Sequence, residues 1–565
     1  MFHKLLLVLT VGLFFLAGCS NAAEPTAPPP VGAPAAPGAT IAPLAGTGAA
    51  PTSQIPDAST PKPKGGKLVR LGADPLTLDP HLAGDTSSAG IIVEVFGGLT
   101  TIDPDLKIVP DLAERWDISA DGRVYTFHLN PRAKFHDGRQ VVAEDVRWSF
   151  ERAADPRTQS PVVDTYLGDI VGVKEKLSGK AQAVSGVRVV DNSTVEITID
   201  APKAYFLAKM TYPTTFVLDR KNVEADPRNW MLKPNGTGPF RLAEYKLGQT
   251  LRLTAYEGYH LGAPHLAEAE SILSGGSRML MYENGEVHLA GVGLADLERV
   301  KDPKNPLNKE LHRIAPEFDI TYLGFNVKQA PFDDPKVRMA LNLVIDKQSI
   351  ATNVLSDLLV PAKGVLPPGF PGYNPALKGY EYNPEKARQL LRESKYGTDM
   401  SKFPPITLSV AGDLGASVGL DMEVILQAWQ QELGITVEIQ QTESATFFQD
   451  LHKRRFQMFL TAWIADYPDP QDFLDVLLHS QSAINYGNYS NPEVDRLLEQ
   501  ARVEPDQAKR FQQYQTIEQM VLDDAPWVPL WFSGEGYALI KPEVHDYLLP
   551  PLIIPKLRYV YLTPK

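Results

Sequence analysis

A multi-domain α/β fold is predicted by three observations. The chain has 565 residues, too many for one hydrophobic core; its first third is rich in alternating strand patterns; and in its later half an amphipathic helix runs through a glycine stop into a strand. Length alone suggests two to four domains. At 43% hydrophobic and 22% charged residues, the composition is that of an ordinary folded protein. The formal net charge of −13 favours solubility and argues against a nucleic-acid binder, which needs a basic face. Small molecules, proteins or a membrane surface are left as partners.

Met1-Phe2-His3-Lys4 is a short basic start, followed by LLLVLTVGLFFLAG. This run is too short for a comfortable membrane span and suits the core of a signal peptide. It passes through Leu16-Ala17-Gly18 directly into Cys19, the only cysteine, and resembles a bacterial lipobox. Residues 1–19 then form a lipoprotein signal, with Cys19 lipidated as the mature N-terminus. The plain alternative is a secretory signal with an incidental cysteine. Either way no disulfide can form within the chain, so an exported fold must rely on its core. Residues 20–64 are dense in proline, alanine, glycine and threonine and read as a disordered tether. At ~5–6 Å × √n, about 45 residues reach roughly 35–40 Å.

The folded region opens at Gly65-Gly66 with the strand pattern GKLVRLGADPLTLDPH, followed by the apolar stretch GIIVEVFGGLTTID. Val124, Thr126 and His128 alternate with Tyr125, Phe127 and Leu129 in a strand, His136-Asp137-Gly138 reads as a turn, and Val146 and Phe150 recur at helical spacing. SGVRVVDNSTVEITID is a hairpin. DPKVRMALNLVIDKQSIATNVL reads as one amphipathic helix, with Val337, Leu341, Val344 and Ile345 on its apolar face and a proline near its start. EVILQAWQQELGITVEIQQT is a helix, a stop at Gly434 and a strand. RRFQMFLTAWIAD is a second strand, which puts Asp466 at a strand's carboxyl end, where open α/β sheets tend to hold ligands. Tyr467-Pro468-Asp469-Pro470 must then be an irregular loop, because proline fixes φ and restricts the residue before it.

Catalytic and cofactor signatures are missing from the sequence. The 11 histidines are scattered without ligand spacing, no nucleophile elbow, Walker loop or dinucleotide fingerprint occurs, and Gly275-Gly276-Ser277 is a bare turn signal. Neither a metal nor a cofactor is expected, and no residue pattern points to an enzyme. Asp466 itself has two readings. It caps a loop, as aspartate commonly does before turn residues, or it pairs with a ligand cation beside the apolar wall of Trp463.

Taken in order, several segments resemble the family 5 extracellular solute-binding proteins of bacterial ABC importers: LTLDPH; VPDLAERWDISADGRVYTFHLNPRAKFHDGRQVVAEDVRWSFER; GTGPFRLAEYKLGQTLRLTAYEGYHLGAPHL; YLGFNVKQAPFDDPKVRMALNLVIDKQSI; AWIADYPDPQDFL; and NYGNYSNPEVDRLL. The likeness runs from about Lys67 to the C-terminus. It implies a two-lobed periplasmic-binding-protein-like fold of three domains: domain I from 65–103, 213–315 and 531–565, domain II at 104–212 and domain III at 316–530. It also implies a monomer that closes its lobes on an extended peptide and delivers it to a permease powered by separate ATPase subunits. In peptide-binding members the aspartate matching Asp466 takes the peptide's α-amino group. Trp463 matches the pocket tryptophan, Ala462 and Ile464 would offer backbone groups, and Thr86 and Ser87, in the loop after DPHLAGD, would touch ligand from the first lobe. Where related receptors can carry a basic residue for the ligand carboxylate, this chain has Leu460; Lys453, Arg454 and Arg455 read as a solvated helix end. The alternative ligands are oligosaccharides or a metal chelate.

Overall fold

The structure is a computed structural model that describes residues 62–397, 399–412 and 418–564. The signal segment with Cys19, and the tether up to residue 61, lie outside the described residues. Among the described residues no helix is long and apolar enough to cross a membrane.

Four sheets of three or more strands, beside two two-stranded ones, organise the described residues. Lys67–Leu71 pairs in parallel with Glu268–Ile272, which continues antiparallel through Thr250–Ala255 to Phe240–Lys246. Ala113–Ile118, Val124–Leu129, Thr194–Thr198 and Val187–Asp191 form an antiparallel sheet in that order. The alternation read from sequence holds here: Tyr125, Phe127 and Leu129 are buried while Val124, Thr126 and His128 are half-buried. Val146 and Phe150, from the helix Ala143–Ala153, close the same core. Gly536–Ile540 is the middle strand of a three-stranded sheet, flanked by Leu289–Gly291 and Leu311–Ile314.

The fourth and largest sheet has the order Leu359–Pro361, Trp527–Ser533, Asp319–Phe325, Met458–Ile464, Ile406–Ala411 and Val437–Thr442. The strand that crosses residue 530 therefore runs to Ser533 before the chain returns to the other half of the molecule. Helix Leu420–Leu433 stops at Gly434, whose φ of 68° is the left-handed conformation glycine adopts without penalty. Trp429 on this helix is fully buried and donates its indole N–H to the Leu341 carbonyl at 2.9 Å.

One expected helix is two. Pro335–Leu343 ends, and Lys347–Asn353 starts afresh, because the Asp346 side chain accepts the Ser349 N–H at 3.0 Å as an N-cap. Val337, Leu341, Val344 and Ile345 nevertheless share one core, so the apolar pattern was right and the continuity was not.

The chain passes between the two halves on either side of the Asp319–Phe325 and Trp527–Ser533 strands. Asp319 ties these crossings together by accepting the backbone N–H of Ser533 at 2.7 Å and its hydroxyl at 2.9 Å. Away from this joint the halves meet through one apolar cluster, in which Val162, Tyr166, Ala208 and Tyr212 pack with Ile320, Tyr322, Tyr467, Phe473 and Leu474.

Candidate functional site

The site is built on the strand Met458–Ile464. One edge of it pairs antiparallel with Asp319–Phe325 along its whole length, from Met458 opposite Phe325 to Ile464 opposite Asp319. The Ala465 N–H continues that ladder to the Phe318 carbonyl at 2.7 Å, and the Gln457 carbonyl accepts from Asn326 N–H at 2.9 Å. Odd-numbered residues therefore turn their backbone groups toward this partner, and even-numbered ones toward the opposite edge. On that opposite edge Ile406–Ala411 pairs only with Met458 and Phe459. Among the described residues no strand covers it from Leu460 onward, so the N–H and C=O groups of Ala462 and Ile464 face an open edge.

Beyond the strand the prolines break regular structure as expected, and Pro470 stands just ahead of the helix Gln471–Leu478, whose first N–H, at Gln471, is accepted by Asp469 Oδ1 at 3.0 Å. Asp472, in the first turn of this helix and fully buried, folds the loop back on itself. Its Oδ2 accepts the Asp466 N–H at 2.9 Å and the Trp463 indole N–H at 3.4 Å. The indole and the Asp466 backbone are thereby held to one oxygen atom.

The Asp466 carboxylate accepts the hydroxyl of Tyr166, which comes from the other half of the molecule, 300 residues away in sequence. Tyr166 stacks face to face on Tyr212, with ring centroids 3.7 Å apart and 7° between planes. Burial pushes the Asp466 carboxyl up to about 7. Burial, and next the Asp466 charge, push Asp472 well above the carboxylate range.

Other buried aspartates are neutralised. Arg510 holds Asp469, Arg502 holds Asp475, Lys203 and Lys209 share Asp169, and Arg152 holds Asp79. Among the described residues neither Asp466 nor Asp472 has a lysine or arginine partner. A burial-raised carboxyl pair, walled by Trp463, Tyr166 and Tyr212, is electrostatically complementary to a cation.

Thr86 and Ser87 lie in the first turn of the helix Thr86–Val95, not in a loop. Asp85 caps this helix by accepting the Ser88 N–H at 2.9 Å and the Ser87 hydroxyl at 2.8 Å, a short polar side chain offering its oxygen to free helix N–H groups. Thr86 and Ser87 face Ile464 across a cavity of about 450 Å³. Asp466, Trp463 and Ala462 do not line that cavity. The two places are linked through Tyr212, whose hydroxyl donates to the Ala83 carbonyl at 3.4 Å, just ahead of Asp85. Arg454 is not a solvated helix end. It is partly buried and donates to the Ser482 carbonyl at 2.7 Å. Tyr166, Tyr212 and Asp472 were not singled out from sequence; only the first-turn position of Asp472 after a Pro-Asp-Pro loop carried a signal.

A sequence model for bacterial extracellular solute-binding proteins, family 5 (Middle), matches residues 107–485. The periplasmic oligopeptide-binding protein OppA of Escherichia coli (strain K12) is 29% identical over 492 residues, which is 84% of this chain and 88% of that protein. Heme-binding protein A of Haemophilus influenzae is 31% identical over 510 residues, 85% of this chain and 88% of that protein. The solved structure of the Escherichia coli murein tripeptide binding protein MppA is 26% identical, covers 88% of this chain and 99% of its own, and superposes with a TM-score of 0.79. The unliganded open form of MppA covers the same 88% of this chain and 97% of its own, with a TM-score of 0.63. The fold is thus the two-lobed α/β architecture, and its lobes lie nearer the first arrangement than the open one.

Proposed function

The chain belongs to the bacterial extracellular solute-binding proteins of family 5, and from that premise we propose that it captures extracellular peptides between its closing lobes and hands them to the permease of an ABC importer. One observation carries the reading: the half-buried Asp466, which bonds Tyr166 of the other lobe, and the buried Asp472 behind it have no lysine or arginine partner among the described residues, at the end of a strand whose outer edge is open.

The chemistry follows from that geometry. The ligand's α-ammonium displaces the Tyr166 hydroxyl or joins it at Asp466, restoring the ionised form that burial opposes. Trp463 supplies the apolar wall beside the ammonium. The ligand backbone adds to the open edge through Ala462 and Ile464, as a strand adds to a sheet, which makes affinity depend little on side chains. Thr86 and Ser87 meet the ligand from the first lobe. Lipidation of Cys19 holds the receptor at the outer face of the membrane, and the tether lets the body move between solute and permease. Energy for transport comes from the importer's separate ATPase subunits.

A second reading is a non-peptide solute, favoured by the aromatic walls and by the heme-binding relative at 31% identity. Thermal unfolding of the full chain in mild detergent separates the two. The panel is di- to hexapeptides, the same peptides N-acetylated, cello- and xylo-oligosaccharides, haem and nickel chelates. A ligand at 100 times its dissociation constant stabilises by about 2.7 kcal/mol. Free-amino peptides are expected to raise the midpoint, acetylated ones to fail, and Asp466→Asn to abolish the response. A shift with sugars, haem or chelates alone returns Asp466 to the role of a loop residue.

A further inference from the structure

The two elements that meet at Asp466 each turn a second face to a polar cavity of about 200 Å³ between the lobes. The short helix Val163–Leu167 brings Tyr166 to Asp466, and Asp164, Thr165 and Gly168 beside it line the cavity. The helix Gln471–Leu478 carries Asp472 behind Asp466, and its Gln471 and Asp475 line the cavity from the other lobe. A ligand seated there touches both lobes, on the same helices that build the peptide end of the groove.

The buried acids of this cavity are already satisfied. Lys203 and Lys209 donate to the two oxygens of Asp169 at 2.6 and 2.9 Å, and Arg502 donates to both oxygens of Asp475 at 2.7 Å. A third acid, Asp164, is exposed at the rim. The groups left over inside are donors. Tyr205 is 2% exposed and its hydroxyl has no partner; burial, and then the Asp169 and Asp475 charges, raise the phenol well above its ordinary value, so the O–H stays intact. His479 accepts the Gln481 N–H on Nδ1 at 3.2 Å, which puts its hydrogen on Nε2, a buried atom without a hydrogen bond whose nearest acid is Glu499 at 3.5 Å. Gln471 Oε1 accepts the Tyr467 hydroxyl at 2.5 Å, and among the described residues its amide NH2 has no acceptor. Arg502 spends Nε and Nη2 on Asp475 and keeps Nη1. Buried donors without acceptors, beside lysine and arginine, fit a ligand made of acceptors.

We propose that this cavity binds a small oxyanion, held by the Tyr205 hydroxyl, the His479 Nε2–H and the Gln471 amide between Lys209 and Arg502, and that the bound anion favours the lobe arrangement seen here over a more open one. The volume has room for such an anion with a few waters. An ionised acceptor makes hydrogen bonds roughly twice as strong as a neutral one, so the donors that the fold leaves bare are the ones an anion rewards most. Tyr205 and Lys209 come from one lobe, Gln471, His479 and Arg502 from the other. An anion that needs both sets binds the closed arrangement better, and by linkage closing strengthens its binding in return. The site itself does not depend on the peptide reading. Where that reading holds, the same anion raises peptide affinity, because Tyr166 and Asp472 ride on the helices that line the cavity.

Equilibrium dialysis of the full chain in mild detergent against labelled phosphate, sulfate or acetate, at fixed ionic strength in sodium chloride, tests the site with no peptide present. One bound anion per chain is expected, and the arm in which it appears separates an inorganic oxyanion from a carboxylate. Tyr205→Phe deletes an orphaned hydroxyl and keeps the ring, so the unfolding midpoint in chloride is expected to stay or rise while anion affinity falls about tenfold. On adding the anion, hydrogen exchange is expected to slow in both Val163–Leu167 and Gln471–Leu478 of the unmodified chain. No bound anion in any arm, the cavity then holding water alone, overturns the proposal. So does equal binding by Tyr205→Phe, or exchange that slows in one lobe only. A chain that binds peptide and no anion keeps the peptide reading and loses this one; a chain that binds the anion and no peptide does the reverse.

Discussion

At the scale of single residues the decisive feature is a carboxyl that burial keeps near neutrality. Asp466 is raised from 3.8 to about 7 in the unliganded arrangement, so between those values the folded protein holds a proton that the unfolded chain has released. Stability of the unliganded protein must therefore fall as pH rises through this window. An ammonium ligand favours the ionised form, so its binding expels the proton and its affinity must rise with pH, by at most about tenfold per unit, levelling near pH 7. Calorimetric titration from pH 5 to 8 should show that rise, and Asp466→Asn, which is expected not to bind, should flatten the fall of stability over the same window. Glu518, also raised to about 7, contributes to the stability trend but faces Val365 and Leu366, so subtraction of the Asn variant isolates the site. The sequence exposed Asp466 because prolines and a strand pattern flank it. It concealed Tyr166, since a tyrosine in a short helix of another lobe has no local signature of what it will touch.

At the scale of elements the open edge of Met458–Ile464 makes a parity argument that can be checked. A proline at 462 removes an N–H on the open edge and spares the ladder, whereas a proline at 461 removes one that belongs to it. Ala462→Pro should therefore weaken peptide binding by roughly two- to tenfold with little change in the unfolding midpoint. Thr461→Pro should lower that midpoint strongly. The reverse ranking in thermal unfolding would show that the register has been read one residue out. Strand alternation, the Gly434 stop and the hairpin at residues 187–198 were legible because period and turn chemistry are local. The break before Asp346 was not, because its apolar positions continue the helical period and only a single side chain, acting as a cap, interrupts it.

For the molecule as a whole, the lobes also meet across a polar cavity of about 200 Å³. Asp169 with Lys209 faces Asp475 with Arg502 there. Each pair is complete within its own lobe, so closing brings together neutralised groups instead of bare charges. Arg502→Leu leaves Asp475 buried without its ion pair, and should cost ~3–5 kcal/mol in urea unfolding. Removing the half-exposed Arg496, paired with Glu493, should cost less than about 1 kcal/mol. The three-stranded sheet has a further effect, on the order of events during synthesis. Its middle strand, Gly536–Ile540, and the N–H groups of Lys556 and Leu557 that hold Glu94 are made long after the strands and the acid they join. The three-stranded sheet is thus without its middle strand until residues 536–540 have been made. A chain in that condition stays incompletely folded while it emerges, the state in which a polypeptide can be threaded through an export channel.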